Sequence, residues 1–344
     1  MEMSISPSVL VEKATAAEHN FVGKPSKNVP ATVGKEDGGA SNVGMFTVKS
    51  ANDTIMEAKA RPNPRPLWMK MWYEGEVCCL FSDSNLGKSI LAVQIASLIA
   101  KERKVLYFDF ELSDKQFQLR YTDDSDKSVF VFPPLLYRVT INSELYDIND
   151  FEASVIKDIE MTAIQTEAKI VIIDNLTYLC NSSEKGDLAG VLMMRLMALK
   201  RNLGLSLLIL AHTPKRPLTN PITQNDLAGS KKLYNFFDSV FAIGKSALDG
   251  CLRYIKQIKV GYGEYEYDSD NVAVFEVKKV GSFLQFVPKG FATERQHLKE
   301  RSDKEDENLL EQVRQLHEHH YPYREIALRL GISESKAYRL IKKL

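Results

Sequence analysis

The chain has no net charge: 344 residues carry 45 Lys and Arg against 45 Asp and Glu. No field spanning the whole molecule draws it to a polyanion, so any nucleic-acid contact has to come from a local patch. Cysteine is also scarce. The four present, Cys78, Cys79, Cys180 and Cys251, show no C-x-x-C or metal-ligand spacing and read as core residues in a reducing compartment. No apolar run approaches a membrane span, and the N-terminus lacks the charged-then-apolar pattern of a signal segment, so a cytoplasmic location is expected. What the chain does have is 44% hydrophobic content, enough for an ordinary core, in a length that suits one large or two small domains. It contains no internal repeat.

The most informative stretch is Phe81–Ser89, FSDSNLGKS. It reads as a phosphate-binding loop of the form G-x-x-x-x-G-K-[ST], in which main-chain N–H groups wrap phosphates, a lysine reaches the β and γ oxygens, and a hydroxyl holds Mg²⁺. Gly87, Lys88 and Ser89 fill the second half, and Ser82 stands where the first glycine belongs. That glycine serves backbone geometry, so a serine is tolerated if its φ stays in an ordinary region. The context supports the loop: Val77–Phe81 is a short apolar run of β type, and Ser89–Ala100 is apolar on nearly every side, as in a buried helix. A strand, a loop and a helix N-terminus in that order make an anion site. The nucleotide-binding residues assigned on this basis are Ser82, Asp83, Ser84, Asn85, Leu86, Gly87, Lys88, Ser89 and Ile90.

Residues 1–62 are rich in small and charged residues without a sustained period and are expected to form a flexible arm. Arg61–Pro66, RPNPRP, marks a stiff boundary. Across 63–292 apolar strands (Glu76–Phe81, Lys104–Phe110, Ile170–Asp174, Ser206–Ala211) alternate with helices (Gly87–Lys101, Asp114–Tyr121, Asp150–Thr166, Asp187–Asn202). The alternation predicts an α/β domain with a mainly parallel sheet covered by helices on both faces. Four further strands, Ser239–Ile243, Leu252–Val260, Val272–Val277 and Phe283–Val287, have turns but no long helices between them and are expected to end the sheet antiparallel. A linker, 293–304, leads to a small all-α domain, 305–344.

Three strand ends carry candidate chemistry. Lys169–Asp174, KIVIID, is a buried strand delivering Asp174 to the Mg²⁺ side of the phosphates, beside Ser89. Lys104–Asp114, KVLYFDFELSD, puts Glu111 beside the loop, where a carboxylate can activate the attacking water; the plain alternative is a surface glutamate near a helix start. Ser206–Thr213, SLLILAHT, ends in His212, either a γ-phosphate sensor or a satisfied hydrogen-bond donor. The long loop that follows, Pro214–Ser230, carries Lys215 and Arg216, and loops of that length are usually functional. Arg120 and Tyr121 are candidates to stack on a base.

FELSD with Glu111, IVIIDN with Asp174 and LLILAHT with His212 together resemble the RecA-like ATPases, and most nearly the RepA and DnaB branch of hexameric replicative helicases, over Trp68–Phe291. The resemblance implies ATP and Mg²⁺ as ligands, with Lys88, Glu111 and His212 as the catalytic set. It also implies assembly as a homo-oligomer, a hexameric ring in that branch, with the loops at Asn181–Gly186 and Pro214–Ser230 facing single-stranded DNA. The family places a K-x-R pair from the adjacent subunit near the γ-phosphate. Lys259 in Tyr254–Gly263, YIKQIKVGYG, matches the lysine, but Gly261 stands where arginine is expected. Lys256 and Lys259 otherwise read as the solvated face of an edge strand.

The tail is a separate signal. In Tyr323–Leu344, apolar Ile326, Leu330, Ile332, Ala337, Leu340 and Ile341 form one set, with Ala327 where helices cross, Gly331 at a turn and Ser333 as a cap, the spacing of a helix-turn-helix. A helix pair serving only to hold an oligomer together is the alternative. The segment has six basic and two acidic residues, and duplex recognition would use Ser335, Lys336, Arg339 and Lys342. Two functions follow: a DNA-associated ATPase working as a helicase or motor in replication or maintenance of a plasmid or mobile element, or an ATP-gated DNA-binding regulator, loader or mediator with slow hydrolysis.

Overall fold

The computed structural model describes residues 41–142, 151–175, 186–213, 216–227, 231–299, 303–342 and 344. Of the expected flexible arm, residues 1–40 lie outside the described residues, and residues 41–62 carry regular structure. Ser41–Val43 (β1) and Phe46–Val48 (β2) pair as an antiparallel hairpin, and Ala51–Lys59 is a helix (α1). Local chemistry makes this helix, not an apolar period: the Ser50 hydroxyl accepts from Asp53 N at 3.0 Å, and Lys49 pairs with Glu57 at 2.6 Å. None of its residues is buried. Contacts divide the chain at this point, into Met1–Asn63 and Pro64–Leu344.

The second unit opens with a small hairpin, Pro66–Trp68 (β3) and Trp72–Tyr73 (β4), and continues into Val77–Ser82 (β5), Lys88–Ile99 (α2), Val105–Asp109 (β6), Asp114–Arg120 (α3), Leu136–Val139 (β7) and Phe151–Thr166 (α4). Then come Ile170–Asp174 (β8), Gly186–Leu203 (α5), Ser206–His212 (β9), Lys231–Phe236 (α6), Ser239–Lys245 (β10), Leu252–Lys259 (β11), Val272–Val280 (β12) and Phe283–Ala292 (β13). Nine of these strands form one sheet in the order β13-β12-β11-β10-β5-β9-β8-β6-β7. Pairing is parallel from β10 through β7 and antiparallel from β10 through β13. This is the expected α/β sheet, mainly parallel and antiparallel at one end.

The β5 sequence explains why it reads as an unbroken apolar run. Val77, Cys79 and Phe81 pack on one face with Ile159 of α4 and Leu196 of α5, while Cys78 and Leu80 pack on the other with Leu91 and Ile95 of α2. A strand buried on both faces has no polar alternation to show. Cys78 and Cys79 are therefore core residues as expected, but Cys251 is exposed at the start of β11, and Cys180 lies outside the described residues.

Because the strands run parallel, their carboxyl ends collect on one edge. The register pairs Ser82 with His212 and Asp109 with Asp174. The crevice outside the carboxyl ends of such strands is where open α/β sheets bind ligands. Lys256 corrects the edge-strand reading: β11 is flanked on both sides, and its buried ammonium donates to Glu294 Oε2 at 2.6 Å and Ile222 O at 2.9 Å.

The tail folds as helices Asp303–Glu318 (α7), Tyr323–Leu330 (α8) and Glu334–Ile341 (α9) around Val313, Ile326, Ala327 and Ala337. Gly331, at φ +61°, turns the chain after α8, its N–H reaching Ala327 O and Leu328 O, and the Ser333 hydroxyl caps α9 by accepting from Lys336 N at 3.2 Å.

Candidate nucleotide site

The loop after β5 takes the shape a phosphate cradle needs. Asn85 and Gly87 have left-handed φ of +63° and +98°, whereas Ser82 does not, so the backbone asks nothing of Ser82 that only glycine supplies. Gly87 is different. A Cβ there would sit 3.0 Å from the Phe286 ring, in addition to the strained φ. Phe286 is fixed to the helix behind the loop, its N–H donating to Gln94 Oε1 at 2.8 Å and its carbonyl accepting from Gln94 Nε2 at 3.0 Å. Ser84 and Asn85 are exposed at the apex, and Arg253 Nε donates to Leu86 O at 3.2 Å.

Lys88 opens α2 and folds back under the loop. Its Nζ donates to Ser82 O at 3.1 Å and Asp83 O at 3.3 Å, and lies 3.1 Å from His212 Nδ1. Burial pulls its pKa below the ordinary value, while the charges of Asp174, Glu111 and Asp83 act the other way. An ammonium only donates, so Nδ1 of His212 accepts and Nε2 carries the hydrogen. That hydrogen faces Glu111, whose Oε1 is 3.3 Å from Nε2. The structure thus joins the three residues assigned to catalysis in one line, Lys88–His212–Glu111. Glu111 also takes a hydrogen bond from the Asn175 amide, whose nitrogen lies 3.0 Å from His212 Nε2. The His212 hydrogen bond, helped by nearby positive charge, holds the Glu111 carboxyl below the usual carboxylate range.

Asp174 ends β8 fully buried. The Tyr107 hydroxyl donates to Oδ2 at 2.6 Å, Oδ1 has no hydrogen-bond partner, and the nearby Ser89 hydroxyl eases the carboxylate's charge. An unsatisfied buried carboxylate oxygen next to a hydroxyl is a pair of hard oxygen donors, which fits a magnesium ion shared with phosphates. Among the described residues no cluster of three or more His, Cys, Asp or Glu could hold a metal by itself.

Burial pushes the Asp174 pKa from its ordinary 3.8 up to about 6. A raised carboxyl pKa stabilises the fold fully below about pH 4, and the benefit is lost as pH rises through about 6; above that the ionised group costs up to about 3 kcal/mol. In EDTA at pH 7.5, Asp174→Asn is therefore expected to melt several degrees above the unchanged protein, with the gap narrowing as pH falls through about 6 and closing near pH 4. Equal melting temperatures at pH 7.5 would overturn this reading of the carboxylate.

Other assigned residues fall elsewhere. Lys259 Nζ donates to Phe237 O at 2.6 Å and sits over the Tyr234 ring, held by its own chain. Gly261 has a packing reason: a Cβ would lie 2.8 Å from Asp238 O and from Glu76 Oε1, so the position has no room for arginine. Tyr121 corrects the base-stacking reading, being buried among Phe117, Phe132 and Phe283. Arg216 turns onto Asn220 O at 2.5 Å and the Tyr254 hydroxyl at 3.3 Å. Lys215 and most of the loop at Asn181–Gly186 lie outside the described residues. In the tail Ser335, Arg339 and Lys342 are exposed, Lys342 over the Tyr338 ring, while Lys336 is half-buried and lines a cleft of about 760 Å³ with Arg339, Thr219 and Asn220.

Sequence reasoning missed several groups here. Asn175 was within reach as the residue following the IVIID strand. Tyr107, Asp109 and Arg138 gave no signal, because their roles depend on which strands become neighbours.

Together the loop, its buried lysine and the strand-end carboxylates define a P-loop ATPase site on a mainly parallel α/β sheet. Residues 48–217 match the family model described as an AAA domain. Among solved structures, a KaiC-like protein from the hyperthermophilic archaeon Pyrococcus horikoshii OT3 aligns with a TM-score of 0.46 and 13% identity, covering 63% of this chain and 91% of that one. No curated protein matches the chain. Among the described residues no helix is long and apolar enough to cross a membrane.

Proposed function

We propose that this ATPase couples Mg²⁺-dependent ATP hydrolysis to work on DNA, as a RepA-like helicase or motor in the replication or maintenance of a plasmid or mobile element. The observation that carries the reading is the Lys88–His212–Glu111 line, because it continues directly into the loop assigned to DNA. Thr213, next to His212, donates its hydroxyl to Asp83 Oδ1 at 2.5 Å and its N–H to Ser82 O at 3.2 Å, so the loop begins on the phosphate cradle itself. On this reading a change at the phosphates reaches the start of the loop through Thr213.

In this mechanism Lys88 balances charge on the β and γ oxygens, and Glu111 takes the proton of the attacking water. His212 holds Glu111 in place and senses the γ-phosphate. Ser89 and Asp174 would hold Mg²⁺, which when bound supplies neutralising charge to the phosphates. Assembly into a ring, single-stranded DNA at the loops after β8 and β9, and duplex contact through a helix-turn-helix formed by α8 and α9 complete the proposal. The tight packing at Gly261 favours a second reading, an ATP-gated DNA-binding regulator, because the expected arginine is excluded and hydrolysis would be slow.

Steady-state ATP turnover with and without single-stranded DNA, alongside a strand-displacement assay, separates the two. The motor reading expects DNA to raise turnover by about tenfold or more, within the range that a completed charge-stabilising site supplies. DNA binding that leaves turnover unchanged and displaces no strand supports the regulator, and the absence of DNA binding removes both.

A further inference from the structure

We infer that Arg138 is a positioning residue for hydrolysis, holding the Glu111 turn in place from the neighbouring edge strand; the inference rests on Glu111 being the base. Arg138 is on β7, paired with Tyr107 of β6 in the register. Its guanidinium is used on every nitrogen. Nε donates to Asp109 Oδ2 at 2.9 Å, one terminal nitrogen donates to Asp114 Oδ1 at 2.6 Å, and the other donates to Leu112 O at 2.6 Å. The plane also lies over the Phe117 ring, 4.7 Å from its centre. These partners come before and after Glu111 in sequence, so one side chain spans the whole turn.

Asp109 passes the constraint on. Its Oδ1 accepts the main-chain N–H of Glu111 at 3.2 Å and of Leu112 at 3.0 Å, while Oδ2 receives Arg138. The Asp109 side chain has no exposed surface, and an ionised carboxylate in such a place needs a bonded cation. Removing Arg138 leaves that buried carboxylate without its cation, and the group that anchors the Glu111 amide loses its fixed direction. The Glu111 side chain is held from the other direction by His212 and Asn175. The base is therefore fixed at two points, its carboxylate from across the sheet and its backbone by Asp109 and Arg138. Lysine cannot replace the fork, since one ammonium does not reach three acceptors in a plane.

The test uses the full chain with Arg138→Ala and Arg138→Lys, next to Glu111→Gln. Hydrogen–deuterium exchange of a peptide covering residues 109–114 reads the turn directly, and a fluorescent ATP analogue reads binding. Arg138→Ala is expected to speed exchange in 109–114 but not in the loop at 82–90. It should also lower kcat by about 10–100-fold, the cost of a small misplacement of a reacting group, and change analogue affinity by less than about twofold. Arg138→Lys should recover less than half of the loss, and free guanidinium, but not ammonium, should partly restore Arg138→Ala. If the alanine variant fails to fold, the lysine variant decides by the same kcat and exchange measurements. Unchanged exchange at 109–114, or unchanged kcat, in a folded variant overturns the inference. Faster exchange in Arg138→Ala combined with full activity in Glu111→Gln would keep the clamp and remove Glu111 as the base.

Discussion

Replacing Lys88 with alanine is expected to lower ATP turnover by about 10²–10³-fold, the effect of removing one preorganised charge from a transition state. The ammonium is positioned before any nucleotide arrives: the carbonyls of Ser82 and Asp83 hold it beneath the loop. The cost of that placement is visible as a pKa pulled down by burial. Removing the side chain therefore relieves a desolvation penalty, and the variant should stay folded, with a melting temperature at or above that of the unchanged protein. The loss also reaches His212, which accepts from Lys88 at Nδ1, so its hydrogen no longer has a fixed direction toward Glu111. Single-turnover hydrolysis and thermal unfolding measured on the same samples check this. Turnover within threefold of normal would remove Lys88 from the site.

Glu111→Gln is expected to lower hydrolysis by about 10²–10⁴-fold, the usual contribution of a general base, while ATP still binds. The glutamine keeps the shape and can still accept from His212 and Asn175, so what is lost is basicity. Because the His212 hydrogen bond holds the Glu111 carboxyl below its usual range, the base is ionised throughout neutral and mildly acidic pH. Turnover limited by Glu111 should then be flat between about pH 6 and 8. A Glu111→Gln variant that hydrolyses ATP at the normal rate would leave Asn175 and His212 arranged around a structural carboxylate.

Much of this was legible in the sequence, and the reason is burial. β5, β8 and β9 are inner strands covered on both faces, so each appears as an apolar run ending in the polar residue that matters: Ser82, Asp174 or His212. The helix caps of the tail were equally plain, since Gly331 and Ser333 act within a few residues of their own position. β7 was not legible. Leu136–Val139 lies at the sheet edge, none of its residues is fully buried, and its one charged residue gives no hint of the strand it will face. Gly261 illustrates the same limit. Its identity is set by the backbone of Asp238 and the carboxylate of Glu76, contacts that no local pattern records. Helix α1 was missed for the opposite reason, being made by a cap and an ion pair with no apolar stripe.

The pairing of β5 with β10 bears on where an autonomous ATPase would end. The family match closes at residue 217, yet β5 carries the phosphate loop with β9 on one side and β10 on the other. Cutting after 217 would open the middle of the sheet, removing Val240 and Phe241 from the cores on its two faces and leaving the strand that ends at Ser82 with an unpaired edge. It would also take away Phe286, the ring lying against Gly87. The smallest portable unit of this enzyme extends through β13, and grafts or truncations drawn at the family boundary would separate the phosphate loop from the strands that give it its shape.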